Sequence, residues 1–197
     1  MPVNDLSIMK YFVMRMFYML YCIEKNFFDA IMLLISPLFI KVMKWLASTS
    51  FLKKRLKKQG RSTEFVIKDI ILLFNKSLYD LKDGWVIIYA EASLDCVFAA
   101  ILVNVVMFTQ LLTCTQYFTW CMDHYTVLSV LTFIALGHII ANRMFLHNYK
   151  FIPYFKKFEK DSKMIRFLWH LMSSIIIVII ILLFIFFTKL IKETGTV

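Results

Sequence analysis

SSIIIVIIILLFIFFT, residues 173–188, decides the class of this protein. From Ile175 to Phe187 every side chain is apolar. With Phe167, Leu168, Trp169, Leu171 and Met172 ahead of it, the stretch reaches roughly 20 residues, the length that crosses the hydrocarbon core of a bilayer as a helix. It stands at the C-terminal end, so it does not read as a cleaved signal peptide. The rest of the chain agrees. Of 197 residues 60% are hydrophobic, and the mean hydropathy is +0.71, too apolar for a soluble domain of this length to bury in one core. The expected fold is all-α, a polytopic integral membrane helical bundle.

Further spans follow from the same criterion. Residues 85–113 form a long apolar stretch, densest in CVFAAILVNVVM at 96–107, and 125–143 form another. Between them 114–124 lacks Lys and Arg and reads as a short outer loop closing an antiparallel hairpin. Residues 27–46 are apolar enough to insert despite Asp29, Pro37, Lys41 and Lys44. Residues 11–23 are shorter and hold Arg15, so they either cross or lie in the interface. Four spans result, at 27–46, 85–113, 125–143 and 167–188, within a single membrane domain; three or five are the alternatives. Trp45, Trp85, Trp120 and Trp169 each fall near an expected membrane boundary, where amphipathic rings prefer to sit.

The formal net charge of +10 is concentrated in two segments, 47–84 and 144–166. Lys53, Lys54, Arg55, Lys57, Lys58 and Arg61 lie in the first; Lys156, Lys157 and Lys160 are the centre of the second. The positive-inside rule makes both cytoplasmic, as in a bacterial inner membrane protein, with anionic headgroups as their lipid partners. Residues 62–83 read as an amphipathic cytoplasmic helix with Phe65, Ile70, Phe74, Leu78 and Leu81 on one stripe, capped by Ser62 or Thr63 and ended by Gly84. In 148–166 aromatics alternate with lysines. That pattern can stack on bases, but the segment is too short for a nucleic-acid module. It reads as a membrane-surface segment with rings among the headgroups, and direct nucleic-acid binding is not expected.

Polar residues inside the spans are the candidate sites. Glu91 and Asp95 are one helical turn apart and share a face. Counted from a loop centre at Thr119, Asp95 and Arg143 sit at equal height, and Glu91 faces His147, so a charge network pinning the hairpin is expected, with a cation or proton site as the sharper reading. Asn104, Gln110 and His138 lie deeper. They either line a polar path or bond across helices as ordinary glue. Small residues at Ala99, Ala100, Ala135 and Gly137 permit close helix approach.

Much catalytic chemistry has no foothold here. No Walker A, GxGxxG, GxSxG, HExxH or CxxC motif occurs, and four glycines leave little for a phosphate-cradling loop. No enzyme, cofactor or metal is expected. Two functions remain. One is a small non-enzymatic subunit that anchors or recruits a cytosolic protein through its basic face. The other is a homo-oligomeric ion channel or pore-forming effector. In size and layout, though in no motif, the chain resembles small multi-span subunits of bacterial secretion, conjugation or phage-defence systems.

Overall fold

The computed structural model describes residues 5–49, 54, 56, 58, 60, 62–113, 115 and 117–193. The helices are α1 (Asp5–Ser48), α2 (Thr63–Tyr79), α3 (Trp85–Thr113), α4 (Tyr117–Ala141), α5 (Ile152–Phe158) and α6 (Lys163–Glu193). A π-helical turn (Asn142–Leu146) and a 3-10 turn (His147–Tyr149) join α4 to α5. Four stretches are long and apolar enough to cross a membrane: Ile8–Leu46, Trp85–Thr113, Phe118–Leu146 and Lys163–Glu193. The chain divides into two compact units, Met1–Leu20 with Ala90–Val197, and Tyr21–Tyr89.

Helix α1 is longer than the expected span at 27–46, because nothing between 8 and 46 ends it. Pro37 lies inside it; the ring removes one backbone donor but does not stop the helix. Its 44 residues are more than twice the roughly 20 that a helix needs to cross a bilayer core. Only part of α1 can therefore lie in hydrocarbon. From Val13 to Leu20 every residue is buried, Arg15 included.

In the larger unit α3 and α4 run antiparallel. Gln110 fixes their turn. Its Oε1 accepts from the Phe118 and Thr119 amides at 3.1 and 3.2 Å, and its Nε2 donates to Thr119 Oγ1 at 2.7 Å. Two of the amides that a helix start leaves orphaned are thereby satisfied. Since α4 begins at Tyr117, separated by three residues from the end of α3 at Thr113, most of the segment expected as an outer loop is helical. Its apolar, aromatic sequence holds no Gly or Pro to stop a helix. A kink follows at Tyr125 (φ −136°, ψ 42°). There Ser129 Oγ donates to the Cys121 carbonyl at 3.3 Å, and Thr126 Oγ1 donates to the Met122 carbonyl. Helix α6 joins the pair through Asn104, whose Nδ2 donates to the Ile180 carbonyl at 3.1 Å and to that of Ala100 at 3.0 Å. Phe108 and Phe187 pack beside it with ring centroids 5.8 Å apart.

The smaller unit is a helical hairpin. Ser62 caps α2, its side chain accepting from the Phe65 amide at 3.2 Å. At the other end the Gly84 amide donates to the Asp80 carbonyl at 2.9 Å, and a Cβ on Gly84 would stand 2.4 Å from that oxygen. The chain turns from α2 into α3 so tightly that only glycine fits. Helix α2 lies antiparallel to the later half of α1. Phe74 stacks on Phe39 at 5.9 Å, and the Tyr79 hydroxyl donates to Asp29. Partial burial, then the bond to and charge of Asp29, raise Tyr79 to about 12, so it keeps that proton across the physiological range. The buried positions of α2 are Ile67 and Leu78. Of the expected apolar stripe, Leu78 is buried and Phe74 meets α1 while staying 45% exposed, whereas Phe65 is 52% exposed.

Gly137 is where α3 and α4 approach most closely. A Cβ there would lie 2.6 Å from the Asp95 carbonyl oxygen and 3.0 Å from the Ala99 amide. We predict that Gly137→Ala lowers stability by about 1–3 kcal/mol through overpacking. Thermal unfolding in detergent should show it, and Ala135→Ser, at an exposed site two residues earlier on the opposite face of α4, should leave the transition unchanged.

Candidate functional site

Two polar constellations lie in the larger unit. The first joins α3 and α4. Asp95 is buried at 8% exposure and its Oδ2 stands 2.9 Å from His138 Nδ1. A carboxylate accepts, so the imidazole nitrogen facing it donates. Gly137, one residue earlier, allows the close crossing that brings the ring within reach. The imidazole itself is 54% exposed, so Asp95 is the enclosed member of the pair.

The expected Asp95–Arg143 pairing is not formed. Arg143 is exposed in the π-helical turn, and Asp95 meets His138 instead. The cause is the position of the turn. Asp95 and His138 are symmetric about a point between 116 and 117, two and a half residues before Thr119, so the opposing residue moves by twice that, five positions, from Arg143 to His138. Glu91 is half-buried and engaged in an interaction of its own. Asn104 and Gln110 are buried at 7% and 3% and bind backbone of α6 and α4. They are spread along the bundle, not gathered round one path. An apolar cleft of about 440 Å³ opens between α3, α4 and α6, lined by Ala99, Val103, Met107, Phe133 and Phe184 with Thr119 and Lys192. Asp95, Asn104, Gln110 and His138 do not line it.

Sequence reasoning missed the second constellation. Arg15, read from sequence as an obstacle to insertion, is 4% exposed. It is ion-paired with Asp161. Its Nη2 and Nε donate to the Tyr11 hydroxyl at 2.7 and 3.2 Å. The guanidinium carbon lies 3.7 Å from the centre of the Phe158 ring and 5.3 Å from that of Trp169. A desolvated cation over aromatic faces gains about 2 kcal/mol or more per good contact. Phe17 and Tyr18 extend this core onto Phe151 and Phe155, with centroids 5.1–5.2 Å apart.

The second basic segment is therefore not a strip of rings among headgroups. Phe151, Phe155 and Phe158 are at most 1% exposed. Lys156, Lys157 and Lys160 point outward. The signal was present in the sequence: 151, 155 and 158 follow the i, i+4, i+7 spacing of one helix face. Of the first basic segment, Lys54 and Lys58 are exposed, while Lys53, Arg55, Lys57 and Arg61 lie outside the described residues.

Among the described residues no group of three or more His, Cys, Asp or Glu side chains could hold a metal ion. Cys96 and Cys121 are free thiols. No family model, curated protein or solved structure matches this chain.

If the Asp95–His138 pair ties α3 to α4, a double-mutant cycle with alanine at both positions should give a coupling of about 0.5–3 kcal/mol. The parallel cycle of Asp95 with Arg143 should give none. Unfolding in mixed micelles measures both.

Proposed function

We propose that this chain is a non-enzymatic integral membrane subunit. Its α3–α4–α6 bundle anchors it, and its basic segments face the cytoplasm, where they recruit an acidic protein partner. The observation that carries this reading is what the intramembrane polar residues do. Asn104 binds the backbone of α6, Gln110 caps α4, and Asp95 meets His138 across α3 and α4. Each is used between helices of one chain, as polar glue is in membrane bundles. The outward lysines around α5 support it too. They stand on a helix whose other face is locked to α1 by Phe155 and Phe158, so the charge is presented on a rigid element.

Orientation rests on charge. Residues 147–162 follow the end of α4 that pairs with Asp95, and by the positive-inside rule their lysines favour the cytoplasm for that side. The turn at 114–116 then faces outward.

One observation favours the pore reading as the second choice. Asp95 Oδ1 and Asn104 Oδ1 are buried without a hydrogen-bond partner in the single chain. In an oligomer they are acceptors open to a neighbouring subunit or to an ion.

Two measurements on one preparation separate these readings. The anchoring reading predicts that the purified protein in a planar bilayer carries no steady current. It also predicts that native mass spectrometry of gently solubilised host membranes finds a stoichiometric second protein, lost when Lys156, Lys157 and Lys160 are changed to Glu. A reproducible conductance from a closed homo-oligomer, altered by Asn104→Leu, would replace it with the pore.

A further inference from the structure

The α1–α2 hairpin poses a question of membrane geometry that the larger unit does not. Its two ends lie together. Phe28, early in its first arm, contacts Tyr89 with ring centroids 5.4 Å apart, and Tyr79 meets Asp29. The end of α1 and the start of α2 lie at the opposite end, since α2 returns antiparallel along α1. A crossing by the later half of α1 would thus oblige α2 to cross back.

Helix α2 is unfit for that. Its 17 residues extend about 26 Å, short of a bilayer core of about 30 Å. Glu64 and Lys68 are exposed in it, as are Asn75 and Lys76. A crossing would also carry the end of α1, with Lys41 and Lys44, to the opposite side from residue 84. From 41 to 61 the chain holds eight basic residues and no acidic one, the charge pattern that resists translocation.

The hairpin nevertheless exposes apolar surface that water does not favour. Phe27, Leu34, Leu38 and Trp45 are 59–77% exposed, and their spacings of seven, four and seven set them on one face of α1. Exposed Lys41 falls on the same stripe, and exposed Lys44 beside it. On α2, Leu72 and Leu73 are 61% and 63% exposed. Large apolar side chains with lysines among them, growing more cationic toward one end, match the interface of an anionic leaflet in both polarity and sign.

We propose that the α1–α2 hairpin does not cross the bilayer but lies in the headgroup region of the cytoplasmic leaflet, where Lys41, Lys44, Lys54 and Lys58 bind anionic phospholipid. This rests on the orientation argued above and divides the basic face in two, one half for lipid and the other, around α5, for protein. The protein then has three crossing helices, α3, α4 and α6.

The test uses the full chain with its four native cysteines replaced by serine and a single cysteine returned by Gly60→Cys or Lys156→Cys. Gly60 has nothing within 4 Å of a Cβ, but its left-handed φ of 64° strains any other residue, so the fold of this variant is checked by circular dichroism before labelling. A membrane-impermeant maleimide applied to sealed vesicles of known orientation should label both positions from the same side. A bimane on Gly60→Cys should then shift to the blue in phosphatidylglycerol-containing vesicles but not in pure phosphatidylcholine, and high salt should reverse the shift. Labelling of the two positions from opposite sides would overturn the proposal, because the hairpin would cross. A shift independent of lipid charge, or one that follows protein density instead of lipid and so reports a second copy on the hairpin, would overturn it as well. None of these failures touches the anchoring reading, which stands or falls on conductance and on the co-purifying protein.

Discussion

A guanidinium enclosed in an apolar bundle must be met by a carboxylate and by aromatic faces, or the segment carrying it will not stay buried. Arg15 meets that demand with groups from three places in the chain. Tyr11 lies one turn back on its own helix, Phe158 and Asp161 come from the end of α5 and just beyond it, and Trp169 from the first turns of α6. Leaving water costs such a charge several kcal/mol, which only good geometry offsets. The segment 151–161 is thereby held on α1, and its lysines are turned outward because its phenylalanines are turned in.

The same rule governs the helices that read as membrane spans, in weaker form. Between helices in lipid there is little hydrophobic drive, so association depends on close packing and on polar groups finding partners. Gly137 supplies the close approach, and Asn104, Gln110 and the Asp95–His138 pair supply the bonds. A bundle that consumes its polar residues in this way behaves as a rigid support. That is the physical basis for reading the chain as an anchor, and for placing whatever specificity it has on the charged surfaces outside the hydrocarbon.

The parts legible in the sequence were those set by length and local chemistry. Helix α3 occupies 85–113 as hydropathy alone indicated, α6 encloses the expected 167–188, and Ser62 caps α2 as its side chain suggested, whereas α2 ends at Tyr79 with Asp80 as its C-cap and Gly84 serves the turn into α3 instead. What failed depended on partners distant in sequence. Arg15 looked like a barrier to insertion because Asp161, nearly 150 residues away, cannot be paired with it by any local pattern. Arg143 was matched to Asp95 because the absence of Gly and Pro from 114–124 was not taken as leave for α4 to begin at Tyr117, and a small error in the turn doubled across the hairpin. The inward face of 151–158 was written in its spacing, yet an aromatic and basic composition also suits a membrane surface, and only α1 packed against it decides between the two.

The central claim is that the buried Arg15 cation, satisfied by Asp161 and the aromatic cage, holds the α5 segment on α1. The most direct measurement is the unfolding stability in detergent of Asp161→Ala alone and of Asp161→Ala combined with Arg15→Met. The account predicts that the single change costs about 3–5 kcal/mol, because it strands a buried charge, and that adding the apolar replacement restores most of it. A double variant as unstable as the single one, or less stable, would show that Arg15 is not held by its charge and would contradict the account.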